Sequence, residues 1–210
     1  MPFSSVRAKS RIDAMNFGIA GRICMKKTAI YELAAAAVMA ALLCVIAPLS
    51  IPIGPVPISL ATLVLYLSVY VLRLRSALAA CAVYLLLGAF GLPVFAGFSG
   101  GFGDLAGPTG GFLIGYLFLV LIAGLFVMGS SKFEKPVAKT AFQTAGMILG
   151  TVALYAFGTI WFMIQAKAAL PYALTVCVVP FLPGDFAKIV VALTAGKLIR
   201  RSLLRAGLLS

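Results

Sequence analysis

Uninterrupted apolar runs recur along this chain, with lysines and arginines set between them on alternate turns. In hydrocarbon every backbone N–H and C=O must find its partner inside the protein, so a chain that crosses it folds as helices or as a closed barrel. Barrel strands alternate in polarity over about 10 residues; these runs are apolar throughout, which selects helices. They cover residues 28–49, 58–72, 76–90, 112–128, 141–164 and 184–199. At 1.5 Å per residue the first reaches across ~30 Å of hydrocarbon. Composition agrees: 63% of residues are hydrophobic, 10% are charged and the mean hydropathy is +1.14. Soluble domains hold about 45–50% apolar and about 25% charged residues. The expected fold is an all-α membrane protein, a bundle of six transmembrane helices.

The net charge of +12 invites a nucleic-acid reading. The cations form no patch interleaved with aromatics, however, and that reading fails. Of 17 lysines and arginines, 15 fall on one side of the expected spans: in the N-terminal stretch, at Arg73 and Arg75, in 132–139, and from Lys197 onward. Lys167 falls on the other side and Lys188 inside the last span. The positive-inside rule then places both termini in the cytoplasm. The loops following residues 49 and 90 and the turn before residue 184 share the outer face, where they can converge on a pocket open to the outside. Residues 1–24 read as a disordered basic tail, and Met25-Lys26-Lys27 as an alternative start. Residues 25–205 form the single expected domain.

Within this apolar background the stretch Pro183-Gly184-Asp185-Phe186-Ala187-Lys188 stands out. Residues at i and i+3 share a helix face, and Pro and Gly suit a helix entry. A charged pair inside a span is costly unless it has a partner or a task. By itself the pair is as consistent with a helix cap and a snorkelling lysine as with a binding site. Two unusual loops accompany it. The proline-rich one, 50–57, is uncharged and stiff enough to cover a cavity within the membrane. The second, 91–111, is rich in glycine and allows close backbone approach. Its Gly101-Phe102-Gly103 lacks the strand-turn-helix context of a dinucleotide loop, and no GxxxxGK[ST] occurs. With no histidine, five acidic residues and four scattered cysteines, the chain offers little for a metal site or an intramembrane enzyme. Trp161, near the outer end of its span, reads as an interface anchor. The small pairs Ala36 with Ala40, and Ala37 with Ala41, would let another helix come close; internal packing is the alternative.

Four blocks carry a resemblance: Pro55-Val56-Pro57-Ile58, Gly88-Ala89-Phe90-Gly91-Leu92-Pro93-Val94-Phe95, Gly107-Pro108-Thr109-Gly110-Gly111-Phe112 and the Pro183–Lys188 stretch. In this order and separation, over about residues 26–202, they resemble the BioY family, the biotin-specific substrate-binding (S) components of energy-coupling factor transporters. The resemblance implies biotin uptake, with Asp185 and Lys188 as ligand contacts. It implies docking of the alanine-rich first helix, through Ala36, Ala37, Ala40 and Ala41, on a transmembrane coupling (T) subunit that works with two ATPases. A prokaryotic plasma membrane, lipid as surrounding partner, no cofactor beyond biotin as cargo, and no catalytic residue follow. Two positions depart from the family: Ala61, where members often have Gln, and Ser99, where some have a basic residue.

Biotin's chemistry fits these residues. Its urea offers two N–H donors and a carbonyl, which Asp185 and Lys188 can meet through charge-assisted hydrogen bonds. Its distant carboxylate would meet backbone N–H groups at Gly100 and Gly101, or Ser99, Thr109 or water. Tyr84, Phe95, Phe98 and Phe102 are candidates to wall the ring system, with core or lipid-facing packing as the alternative for each. An S component for another small vitamin and a stand-alone proton-coupled transporter are the competing functions.

Overall fold

The computed structural model describes residues 30–52 and 56–205, so the expectations for residues 1–24 and for Met25 lie outside the described part. Helix α1 (Ile30–Ile46) leads into a two-stranded antiparallel hairpin, β1 (Ser50–Ile51) with β2 (Ile58–Ser59), in register Ser50 to Ser59. Helices α2 (Ala61–Val71), α3 (Leu74–Ala89), α4 (Phe102–Ala106), α5 (Gly110–Gly129), α6 (Pro136–Ala166), α7 (Leu170–Cys177) and α8 (Leu182–Arg205) follow. The proline-rich loop is therefore a hairpin. Ser59 closes it, donating its hydroxyl to Ala47 O at 2.8 Å and accepting the Ala61 N–H at 3.1 Å. One side chain thus ties the end of α1 to the start of α2.

Polarity runs inside-out. Large apolar side chains such as Leu33, Val45, Ile148, Val152, Ile160 and Leu198 face outward, whereas Thr62, Ser68, Gln143, Thr151 and Thr159 are buried. This suits a bundle in lipid, where polar groups are satisfied between helices and apolar ones are at no disadvantage outside. The chain is an integral membrane protein. By length and composition, α5 with its 3₁₀ extension to Lys132, and α6, are each able to cross, and α7 with α8, bent by 43°, make a third candidate. Helix α2, at 11 residues, rises ~16 Å, shorter still than the short span expected over residues 58–72.

Glycine decides the central pairing of α5 with α6. A Cβ on Gly150 would lie 3.0 Å from Leu119 O, and one on Gly158 would meet the Phe112 ring at 2.5 Å. Small residues at the crossing let the backbones approach, a requirement where no hydrophobic force separates helix from lipid. The same approach seats Phe112 at the site. Helix α6 starts five residues before the expected 141 because Pro136 occupies its first turn, where a missing N–H is harmless. After its last residue, Ala166, Lys167 caps it in a left-handed conformation with φ 49°.

Candidate functional site

Asp185 lies in the first turn of α8, its N–H bonded to Phe181 O at 2.8 Å, and Lys188 follows one turn later. The two are 4% and 7% exposed, and Lys188 Nζ lies 2.9 Å from Asp185 Oδ1. Nζ also donates to Ser59 O at 2.8 Å and to Thr62 Oγ1 at 3.1 Å. All three ammonium donors are therefore engaged. Asp185 Oδ1 accepts from Thr62 as well, at 3.3 Å, and Oδ2 accepts from the Tyr155 hydroxyl at 2.5 Å. A carboxylate has about four lone-pair sites, so Asp185 keeps one acceptor site beyond these three bonds. The two form a buried ion pair, and their helix, α8, is held to α2, α6 and the hairpin by these bonds.

Aromatic rings wall the space beside it. Phe112 and Phe181 stack with centroids 6.5 Å apart, Tyr155 meets Phe181 edge-on at 6.4 Å, and Tyr116 lines the same side. A cavity of about 40 Å³ touches Asp185 and Lys188. Val56, Pro57, Ser59, Phe112 and Tyr116 line it and also line a second cavity of about 220 Å³. The two form one elongated cleft, roofed by Val56 and Pro57 of the hairpin loop. At its far end stand Phe95, Ser99, Asp104 and Thr109. Indole and amide donors on α6 fasten this end: Trp161 Nε1 donates to Gly107 O at 2.9 Å and Gln165 Nε2 to Ala106 O at 2.7 Å. Trp161, expected as an interface anchor, also clamps the loop that carries Thr109.

The residues expected at the site divide. Asp185, Lys188, Phe95, Ser99 and Thr109 line the cleft. Tyr84 does not; it is 1% exposed and packs edge-on behind Phe95 at 5.7 Å, supporting the wall from the core. Gly101 has φ 110° and spends its N–H on Gly88 O at 2.7 Å, and a Cβ on Gly100 would come within 2.1 Å of Leu92 O. Neither glycine lines the cleft; they shape the turn. Phe98 and Phe102 are 65% and 75% exposed and wall nothing. On α1 the two small faces differ: Ala36 and Ala40 are buried in the core, whereas Ala37 and Ala41 are exposed. The first face packs internally, and the second is open.

Sequence reasoning passed over Thr62, Tyr155, Ser59 and Asp104. Tyr155 carried a signal in its position: a hydroxyl halfway along an apolar run has no water to meet and needs a buried partner. Asp104, the one acid in a glycine-rich apolar stretch, carried another.

A narrow, aromatic-walled cleft that ends on a buried carboxylate–ammonium pair, inside a bundle of apolar helices, defines a membrane-embedded binder of an elongated small molecule with a polar head. The BioY family profile matches residues 22–205. The biotin transporter BioY of Thermotoga maritima is 38% identical over 161 residues, 77% of this chain and 90% of that protein. BioY2, a biotin transporter of Lactococcus lactis, is 34% identical over 85% of this chain and 95% of its own length. The crystal structure of the S-component for biotin from an ECF-type ABC transporter superimposes with a TM-score of 0.73 at 26% identity, over 82% of this chain and 92% of that one. The chain belongs to the BioY family.

Proposed function

We propose that this protein takes up biotin as the S component of an energy-coupling factor transporter, with the Asp185 end of the cleft receiving the urea ring. The observation that carries the proposal is the buried Asp185–Lys188 pair at the narrow end of an aromatic-walled cleft. Asp185 has an acceptor to offer a urea N–H, and bonds to a charged acceptor are the strong kind. Lys188, with its three donors engaged, holds Asp185 in place; to reach the urea oxygen it would exchange one partner. Phe112, Phe181 and Tyr116 supply the apolar walls such pockets use. In this reading six helices cross the plasma membrane of a prokaryote, both termini are cytoplasmic, and the cleft opens outward beneath the hairpin and the glycine-rich loop. The exposed small face at Ala37 and Ala41 meets the coupling subunit, and two ATPases supply the energy. The alternatives of another vitamin or a proton-coupled carrier have no observation in their favour. Calorimetric titration of the detergent-purified protein with biotin and with an N-methylated urea analogue is the test. Saturable binding of biotin and not of the analogue is expected. Saturation by a vitamin lacking a urea ring, with no response to biotin, would overturn the proposal.

A further inference from the structure

The end of the bundle away from the cleft carries a cavity of a different kind. Helix α8 holds both Asp185 and Arg200, and the rise between them is about 22 Å. At the Arg200 end a cavity of about 590 Å³ opens between the end of α5, the start of α6 and the end of α8. Its floor is polar and buried. Tyr70 donates its hydroxyl to Gln143 Oε1 at 3.3 Å, Gln143 Nε2 donates to Ser130 Oγ at 2.9 Å, and Ser130 donates to Val127 O at 2.6 Å. Gln143 is 4% exposed and keeps a second amide N–H. The rim is cationic: Lys139, Lys197, Arg200 and Arg201 line it, against one acid among the described residues, Glu134. Lys197 is held by a 2.7 Å bond to Thr140 Oγ1. Lys139, Arg200 and Arg201 have no ion-pair partner among the described residues. Through Tyr70, Val127, Met128 and Arg200 this cavity adjoins another of about 660 Å³, lined by Val69, Val71, Leu72 and Leu74. At the margin of that groove Arg73 pairs with Glu32 at 2.8 Å, and Arg75 adds a further cation. Cations at one end of a membrane bundle are ordinary. Here they stand over a hydrogen-bonded floor and beside an apolar groove, which together fit an occupant that is anionic at one end and greasy at the other.

We propose that this groove holds one anionic phospholipid. Its phosphate lies among Lys139, Lys197, Arg200 and Arg201, its headgroup meets the free amide N–H of Gln143, and an acyl chain runs along Leu72, Leu74 and Met128. Basic pockets between membrane helices suit such headgroups, and each cation near the surface adds to the attraction. The lipid ties the ends of α5, α6 and α8 together, and nothing in this inference depends on the ligand at Asp185. The full chain, purified in detergent, is titrated with phosphatidylglycerol or with phosphatidylcholine of identical acyl chains and read by native mass spectrometry. One phosphatidylglycerol per protein should bind, at least about tenfold more tightly than phosphatidylcholine. Arg200→Gln/Arg201→Gln should abolish the preference; both side chains are exposed, and melting without added lipid checks that the fold is kept. Lys139→Gln, on another helix, should reduce the preference and carries the test if the double variant fails to fold. Lys132→Gln/Lys135→Gln removes two exposed cations that do not line the cavity and should bind as the wild type does. Equal affinity of the wild type for the two lipids, or an equal loss in the Lys132→Gln/Lys135→Gln variant, leaves only diffuse surface charge and overturns the proposal. Competition by glycerol 3-phosphate at the same concentration as the lipid makes this a site for a free anion and overturns it too. An Arg200→Gln/Arg201→Gln protein that keeps its lipid preference but no longer co-purifies with a coupling subunit gives the groove to a protein partner instead.

Discussion

Asp185 and Asp104 are carboxylates in one cleft, yet donors surround only the first. Asp185 receives Lys188, Thr62 and Tyr155, drawn from α8, α2 and α6. Asp104, on the five-residue α4, leaves Oδ2 without a partner among the described residues. The difference lies in what each acid is built into. One sits where three helices and the hairpin meet, so its bonds also hold the fold together. The other projects from a loop that α6 clamps only through backbone carbonyls, at Ala106 and Gly107. A carboxylate bonded from three helices gives a rigid, pre-formed acceptor; one on a short helix among glycines contributes no such tie between elements.

The sharpest way to break this comparison is to put Asp185 in the position of Asp104 by removing its cation. Lys188→Met strands a buried carboxylate and should destabilise the protein by about 3–5 kcal/mol. Thermal unfolding in detergent reads this directly, and biotin binding should fall with it. A Lys188→Met protein that melts with the wild type would mean that the pair is not what organises this end of the cleft.

Asp185→Asn keeps the shape and replaces an acceptor by a donor, which in the proposed pose would face the donors of the urea. Hydrogen bonds to charged groups contribute about 1.5–3 kcal/mol, so biotin affinity should fall at least about tenfold. An isotherm from folded Asp185→Asn that overlays the wild type would remove Asp185 from the site. Thr62→Val should do less. It deletes a hydroxyl that donates to Asp185 and accepts from Lys188, leaving the ion pair in place, for a loss of about 1–2 kcal/mol in stability. If Thr62→Val unfolds more readily than Lys188→Met, charge is not the leading contribution in the network.

How these groups find each other explains which of them could be read in advance. Asp185 and Lys188 were legible because i and i+3 on a helix is a local rule. Thr62 and Tyr155 lie 123 and 30 residues from Asp185 in the chain, and no local pattern reports a meeting made by tertiary packing. The helical class and the approximate positions of the long helices followed from the apolar runs. The start of α5 did not: Gly110 and Gly111 read as loop, but a Cβ at either would strike Leu105 or Trp161, so they are helical residues chosen for close packing. Helix α4 went unseen because five residues among glycines carry no periodicity. For Phe98 and Phe102 the sequence left wall and outward-facing packing open, because an aromatic in a membrane protein is at ease facing either a cavity or lipid; both are exposed.

Helix α1 poses the same difficulty and yields the prediction with the smallest effect on the isolated protein. An all-apolar helix gives little sign in its sequence of which side faces inward, so the small pairs at 36/40 and 37/41 looked equivalent. They are not: Ala36 and Ala40 pack in the core, while Ala37 and Ala41 are open. Leucines at 36 and 40 must force their way into filled space, and overpacking of this kind costs about 1–3 kcal/mol. Leucines at 37 and 41 project away from the core. They should leave both unfolding and biotin affinity of the purified protein unchanged within error. Their effect should emerge only in cells, as loss of ATP-dependent biotin uptake, because a bulky side chain there prevents the close approach that small residues permit between helices. Normal uptake by Ala37→Leu/Ala41→Leu would move the coupling surface elsewhere on the bundle. Weakened binding in the isolated double variant would show that this face, too, belongs to the interior of the working protein.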